Sequence, residues 1–160
     1  MTARDESFAG ALARPVREVM HQPIVACAPD APLARVARMM GIHRVHCVVV
    51  FRDDPDGSVR PWGIVSDLDA LSGALTGAPD LAASDVAATP LLTVRPEDDV
   101  ETAARLMVEH AASHVVVVGG SGAPLGILST LDLTRAIGHR RIALPSPAGE
   151  PLTTLSRLRI

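Results

Sequence analysis

The sequence repeats itself, and this repeat constrains the fold more than any other feature of the 160-residue chain. One set of residues recurs, in the same or a similar form, 67 positions later: Pro23, Pro29, Leu33, Ala37, Met40 and His43 correspond to Pro90, Pro96, Val100, Ala104, Met107 and His110. A later segment, Gly63 to Asp69, recurs 63 positions on as Gly126 to Asp132. A fixed internal period indicates duplicated units, so we expect two copies of one small structure.

The length difference between the two copies falls in a turn. The first copy has four additional residues within 51–62, a stretch that contains the turn-forming run Asp53-Asp54-Pro55-Asp56-Gly57. The second copy makes the same connection with Gly119-Gly120-Ser121-Gly122. Exposed turns tolerate insertions, whereas packed elements do not, so both connections are predicted to be hairpins.

Each copy is predicted to run strand, helix, strand, strand, helix. The predicted strands are 24–27, 48–51 and 63–65 in the first copy and 91–94, 115–118 and 126–128 in the second. Helices are predicted at 33–40 and 100–108, where apolar residues follow helical i, i+3, i+4, i+7 spacing. Asp30 and the acidic run 97–99 suit the N-terminal ends of these helices, and Ser66 and Ser129 are predicted to cap the closing helices.

Neither copy is large enough to cover its sheet alone, so the two are expected to share one core. We predict an α/β (α+β) fold in which two tandem βαββα repeats pack through their sheets into one pseudo-two-fold module. The predicted division is an N-terminal extension 1–15, a first repeat 16–75, a linker 76–82, a second repeat 83–138 and a C-terminal tail 139–160. The tail is rich in proline and is expected to be irregular or attached to a partner.

Composition argues against several classes of function. A net charge of -3 without a basic run, with two Phe and one Trp, argues against nucleic-acid binding. Arg4, Asp5 and Glu6 stand where a secretory signal would be apolar, and no segment reaches 18 apolar residues, so we expect a cytoplasmic protein that does not enter a membrane. Cys27 and Cys47 are too few for a disulfide framework and are expected to be reduced, buried thiols.

The repeated pattern Gly-h-h-Ser-x-x-Asp, with h apolar, carries the clearest chemistry. It places Ser66 with Asp69, and Ser129 with Asp132, at a strand-to-helix turn, one helical turn apart on one face. Amides at a helix start favour phosphate, and a carboxylate can accept hydrogen bonds from two ribose hydroxyls. The same residues can instead be a cap and a favourable first-turn charge. Both interpretations stay open at this level.

The chain resembles a tandem pair of cystathionine-β-synthase (CBS) domains over about residues 16–138. The resemblance is carried by Val16-Arg-Glu-Val-Met20 with Pro23, by Ser84-Asp85-Val86 with Pro90, and by the two closing patterns. It implies a cleft between the repeats that binds AMP, ADP, ATP, S-adenosylmethionine or a related adenosyl ligand, with no required cofactor. It further implies a non-catalytic regulatory module, a disk-shaped homodimer and a regulated partner protein.

The same resemblance implies roles for individual residues. Asp69 and Asp132 would hold ribose hydroxyls, with Ser66 and Ser129 near the phosphates. The base would lie against the first strand of the opposite copy, which pairs Asp132 with Ile24 to Ala26 and Asp69 with Leu91 to Thr93.

Phosphate contacts in the family often come from the residues just before the second strand, here His46-Cys47 and Ser113-His114. The family frequently has Arg at the later position of each pair, where this chain has Cys47 and His114, so phosphate would be bound less tightly. Arg135, three residues after Asp132, could supply the missing charge, whereas the first copy has Ser72 there. We therefore expect two unequal sites, with the stronger at Asp132.

The sequence leaves three alternatives. A zinc site is suggested by His43, His46, Cys47, His110 and His114, although their spacing is not a recognised zinc pattern. An enzyme would need a nucleophile with a base, and neither Ser66 nor Ser129 lies between nucleophile-elbow glycines. A structural role remains, in which the pair mediates dimerisation with an empty or metal-occupied cleft. The apolar residues that a dimer would cover are Leu68, Leu71, Leu131 and Ile137 on the closing helices.

Overall fold

The first repeat contains the five predicted elements and a preceding helical segment. A computed structural model describes residues 5–138 of the chain, so the predicted tail lies outside the described residues. The elements are α1 (Asp5–Leu12), a 3-10 helix (Val16–Glu18), β1 (Ala26–Cys27), α2 (Leu33–His43), β2 (Cys47–Asp53), β3 (Val59–Ser66) and α3 (Asp67–Leu75).

The second repeat follows the same order. It comprises α4 (Ala83–Val86), β4 (Thr93–Val94), α5 (Val100–Glu109), β5 (His114–Val118), β6 (Pro124–Ser129) and α6 (Thr130–Gly138). The predicted strand, helix, strand, strand, helix order is confirmed. The short helices that open each repeat were not predicted from the sequence.

The two sheets have identical topology. The strand orders are β1-β2-β3 and β4-β5-β6, with the first strand of each parallel to the second and the third antiparallel to it. Only the last two residues of each predicted first strand form the ladder, Ala26–Cys27 and Thr93–Val94. The predictions 24–27 and 91–94 were therefore too long, although the Val25 and Leu92 carbonyls still accept hydrogen bonds from the Val49 and Val116 amides.

Side chains cap the N-termini of α3 and α5. Asp99 caps α5, because its Oδ1 accepts a hydrogen bond from the Thr102 amide at 2.7 Å. Asp30 lies three residues before α2, which begins after Pro32 without a side-chain cap, and the expectation that its charge favours this helix stays a prediction. Ser66 caps α3 as predicted.

The valine runs of the central strands are buried on both faces, which explains why they lack polar alternation. Successive side chains of a strand point to opposite faces. Val48 and Val50 therefore pack with the helices of their own repeat, and Val49 packs in a separate cluster with Val116 of the other sheet. The two sheets thus meet face to face through this third cluster, as predicted.

Each repeat also lends its opening segment to the other repeat. Val16 is fully buried in the core of the second repeat, and Ala83 is fully buried in the core of the first. His21 pairs with Ile127, and the equivalent Ala88 pairs with Ile64. The exchange is symmetric, so the module has the pseudo-two-fold arrangement expected from the duplication.

Within residues 5–138, no helix is both long enough and apolar enough to cross a membrane.

Candidate functional site

The turn between β3 and α3 is closed by a reciprocal pair of side chains. Ser66 Oγ accepts a hydrogen bond from the Asp69 amide at 3.2 Å. Asp69 Oδ2 in turn accepts hydrogen bonds from the amide and hydroxyl of Ser66, at 2.8 and 2.6 Å. This is a capping box, so the structural role considered for these two residues is present. It also fixes the carboxylate at the start of the helix.

The turn between β6 and α6 repeats this geometry. Asp132 Oδ2 accepts hydrogen bonds from the amide and hydroxyl of Ser129 at 2.8 and 2.5 Å, and Ser129 Oγ accepts one from the Asp132 amide at 3.2 Å. A third donor is present here, because His21 Nδ1 lies 3.0 Å from the same oxygen. His21 comes from the opening segment of the first repeat, and Ala88 occupies the equivalent place beside the other turn. The two turns therefore differ in one direct partner.

The extra partner changes the acidity of Asp132. Burial raises the pKa of this carboxyl, but the hydrogen bonds from His21 and Ser129, together with the charge of His21, outweigh that effect and lower the pKa to about 2. Asp132 has only 14% of its side chain exposed, and His21 has 42%. Asp132 is consequently a carboxylate throughout the physiological pH range.

The residues at the start of the second strands gather between the two turns. Cys47 is paired across its sheet with Ser66, and His114 with Ser129. Burial, together with the charges of Asp67 and Asp132, one from each repeat, raises the pKa of Cys47 to about 12. The beginnings of both central strands and of both closing helices therefore lie in one neighbourhood, which we call the central cluster.

The histidines of the central cluster have different partners. His46 donates from Nδ1 to Asp67 Oδ2 at 2.9 Å, and this hydrogen bond lowers the pKa of Asp67. His114 Nδ1 lies 2.9 Å from Ser113 Oγ. Burial lowers the pKa of His114, the charges of His21 and His46 lower it further, and those of Asp67 and Asp132 oppose the change. The half-buried imidazole of His114 is therefore neutral at pH 7.

The residues predicted to contact a base differ in their burial. Ile24 and Leu91 are half-buried against the cluster that joins the two sheets, whereas Ala26 and Thr93 are exposed. Leu91 and Thr93 line a cleft of about 990 Å³ against the β2–β3 hairpin around Trp62. Asp69, which was expected to act with them, does not line this cleft.

Arg135 was predicted to act with Asp132, and the two do share a cavity of about 210 Å³. Its other walls include Arg14 and Glu18, which form an ion pair with Nε and Oε2 3.2 Å apart. Neither Ile24 nor Ala26 lines this cavity. Two further side chains near Asp132, His21 and Arg14, were missed because both lie before the first predicted strand. The sequence did contain a signal for His21. The equivalent residue of the second repeat is Ala88, so the two copies differ there in chemistry.

The model of the CBS domain family matches the chain twice, over residues 16–75 and 83–139. The chain belongs to the CBS domain family. Its duplicated turns and exchanged opening segments are thus those of a CBS pair. The resemblance inferred from the sequence is confirmed, and so is the fold predicted from it.

Solved structures of CBS proteins resemble this chain closely. A CBS domain protein from Pyrobaculum aerophilum, crystallised with AMP, is 33% identical, with a TM-score of 0.66 over 74% of this chain and 89% of that chain. A CBS domain pair solved with 5′-methylthioadenosine and S-adenosylmethionine is 17% identical, with a TM-score of 0.69 over 79% and 97% of the two chains. The second likeness concerns the fold alone.

One curated relative is an uncharacterized protein. This protein, from Methanopyrus kandleri, is 25% identical over 121 residues, which are 74% of this chain and 60% of the relative. The chain therefore spans less than two thirds of the length of that relative.

The side chains considered for zinc have different surroundings. His46 and His114 belong to the central cluster, while His43 and His110 are exposed near the C-terminal ends of α2 and α5. Among the described side chains, no group of three or more His, Cys, Asp or Glu residues is arranged to hold a metal ion.

Proposed function

We propose that this CBS pair binds an adenosyl ligand without transforming it, and that binding is a regulatory signal. One observation carries the proposal: a capped carboxylate stands at the start of the closing helix in both repeats, beside the segment that crosses from the other repeat. A carboxylate held in this way can accept two ribose hydroxyls through lone pairs that the capping box leaves available. The AMP complex of the relative at 33% identity supports the same ligand class.

A non-catalytic role is supported by the partners of the two serines. In each turn the serine hydroxyl donates to an aspartate oxygen and accepts from a backbone amide. A nucleophilic serine needs a general base that takes its proton, usually an imidazole held at hydrogen-bond distance. Ser66 and Ser129 are committed to the capping boxes instead.

Binding of adenine nucleotides to the folded state should raise the melting temperature, because a ligand stabilises the state to which it binds. We propose a panel of AMP, ADP, ATP, S-adenosylmethionine, GMP and CMP, followed by differential scanning fluorimetry and equilibrium dialysis. The adenosyl compounds should give larger shifts than GMP or CMP. Equal shifts with every nucleotide would indicate nonspecific phosphate contacts, and no shift with any adenosyl compound would contradict the proposal.

A structural role in dimerisation is favoured by one separate observation. The closing helix of the first repeat exposes Leu68 and Leu71 by 68% and 62%, and Leu131 is exposed on the equivalent helix. Leu68 and Leu71 are three positions apart on one helix face, and exposed apolar surface of this kind is typical of an interaction site. We propose that these helices meet in a homodimer, whether or not the cleft is occupied.

Light scattering of the wild type and of Leu71→Glu tests the dimer independently of ligand. The wild type should be a dimer at micromolar concentration and the variant a monomer. A monomeric wild type would contradict the dimer and leave the ligand proposal untouched. Metal analysis of the same sample separates an empty cleft from a metal-occupied one.

A further inference from the structure

The first residue of the closing helix differs in charge between the two repeats. It is Asp67 in the first repeat and Thr130 in the second, at equivalent positions. The Asp67 carboxylate folds back over the start of α3: Oδ1 accepts from the Leu68 amide at 2.9 Å, and Oδ2 accepts from His46 Nδ1 at 2.9 Å. Thr130 has no carboxylate that could do the same.

This arrangement leaves α3 poorly suited to an anion. Phosphate is normally bound at a helix start by amides that have no other partner. Here the Asp67 amide donates to the His46 carbonyl, the Leu68 amide to Asp67, and the Asp69 amide to Ser66 Oγ. The turn therefore presents two carboxylates, Asp67 and Asp69, and its first three amides are already bonded within the chain.

The second repeat differs in charge rather than in these backbone hydrogen bonds, because the Thr130 and Asp132 amides donate to the Ser113 carbonyl and to Ser129 Oγ. Thr130 is uncharged, Asp132 is its counterpart of Asp69, and Arg135 shares a cavity with Asp132. A permanent guanidinium charge favours phosphate, whereas a second carboxylate disfavours it. The two clefts thus differ in the charge that they offer to the 5′ group of a bound nucleoside.

We propose that Asp67 determines specificity in the cleft beside Asp69, where it excludes 5′-phosphates and favours an adenosyl ligand whose 5′ group is cationic. This inference rests on the proposed function. AMP carries an anionic phosphate at the 5′ position, S-adenosylmethionine carries a sulfonium there, and 5′-methylthioadenosine carries a neutral thioether. The family resemblance puts the phosphates near Ser66, so with the ribose held by Asp69 we place the 5′ group at the start of α3. The cleft beside Asp132 is then the one that accepts AMP.

Isothermal titration calorimetry with these three compounds directly tests the proposed charge rule, that the Asp67 carboxylate disfavours an anionic 5′ group and favours a cationic one. Titrations at about pH 8, where histidine is mostly neutral, should compare Asp132→Ala with Asp132→Ala/Asp67→Asn, so that the cleft beside Asp69 is measured alone. Removing the carboxylate should strengthen AMP binding about tenfold, weaken S-adenosylmethionine several-fold and change 5′-methylthioadenosine less than about twofold. The first two changes should shrink in high salt.

A matched control reverses the change in the other repeat. Thr130→Asp, made in Asp69→Ala, adds the carboxylate beside Asp132 and should weaken AMP about tenfold there. Circular dichroism should confirm folding, and Asp67→Thr, which copies the second repeat, replaces Asp67→Asn if the latter does not fold.

Two results would overturn the inference, and they are distinguishable. If AMP and S-adenosylmethionine bind to the cleft beside Asp69 with the same ratio of affinities before and after Asp67→Asn, the charge rule is wrong and the proposed function stands. If none of the three compounds binds to the wild type, both the inference and the proposed function fail.

Discussion

The two closing turns have the same backbone design and different surroundings. Both are capping boxes with closely matching hydrogen-bond lengths, built by Ser66 with Asp69 and by Ser129 with Asp132. Only the second receives a histidine, His21, from the other repeat. The duplication has therefore kept the residues that shape the turn, while the residues that approach it from outside have diverged.

This contrast separates two kinds of role within one short motif. A capping box satisfies helix amides and stabilises the fold wherever it occurs. The neighbours His21, Asp67 and Arg135 have no counterpart of the same chemistry in the other repeat, where Ala88, Thr130 and Ser72 stand. Differences between the two sites should therefore follow the neighbours rather than the shared serine and aspartate.

The largest loss of stability should come from adding a side chain at the two glycines against which the opening segments pack. An added Cβ at Gly126 would lie 2.9 Å from Met20 Sδ and 3.0 Å from the His21 carbonyl oxygen. Gly126→Ala should therefore destabilise the protein by about 1 to 3 kcal/mol in chemical denaturation. Gly63→Ala should cost less, because its Cβ would meet Thr89 Cγ2 at 3.0 Å and the Ala88 carbonyl oxygen at 3.2 Å.

Gly120→Ala serves as the control for both glycine variants, since its Cβ would have nothing within 4 Å. Its free energy of unfolding should be close to that of the wild type. Equal stability of all three variants would show that the crossing is looser than the structure indicates.

The second largest effect is the loss, in acid, of the folding stability that Asp132 contributes. Its pKa of about 2 in the folded state lies below the ordinary value of 3.8, so the carboxylate stabilises the fold above about pH 4. This contribution, about 2 kcal/mol, is lost as the pH falls from about 4 to about 2. The stability difference between wild type and Asp132→Ala should therefore narrow in acid. A difference that stays constant from pH 6 to the acid transition would contradict the low pKa.

Asp69→Ala is the matched variant in the first repeat. It removes a capping box without a histidine partner, so at pH 7 it should cost about 1 kcal/mol, less than Asp132→Ala. Thermal and urea denaturation of the pair measure the difference. A larger cost at Asp69 would mean that His21 contributes little to the second turn.

The smallest change in stability should come from exchanging His21 and Ala88, the residues that approach the two turns from the other repeat. His21→Ala should lower stability by about 0.5 to 1 kcal/mol at pH 7, since His21 is partly exposed and its hydrogen bond is partly screened. Ala88→His should supply the missing partner to Asp69 and raise stability by a smaller amount. If Ala88→His destabilises the protein, the pseudo-symmetry does not extend to these side chains.

Local pattern was enough to predict most of the scaffold. Helices α2 and α5 follow from apolar spacing, and the turns follow from the repeated Ser and Asp. The exchange of opening segments could not be predicted, because the apolar residues Val16 and Val19 fit either core equally well as a local pattern. His21 was missed for the same reason, since its contact with Asp132 spans 111 positions in the sequence. The pairing of Leu91 with Asp69 was carried over from the family and remains a prediction, since only Leu91 of the two lines the cleft of about 990 Å³.

The central claim is that the two capped carboxylates bind an adenosyl ligand. Calorimetric titration of AMP into the wild type, Asp69→Ala, Asp132→Ala and the double variant tests it most directly, with circular dichroism confirming that each is folded. Losing a hydrogen bond to a charged group costs about 1.5 to 3 kcal/mol, so Asp132→Ala should weaken AMP about ten- to a hundredfold. Asp69→Ala should change AMP binding less, and the double variant should bind none. A folded double variant that binds AMP as tightly as the wild type would contradict the account.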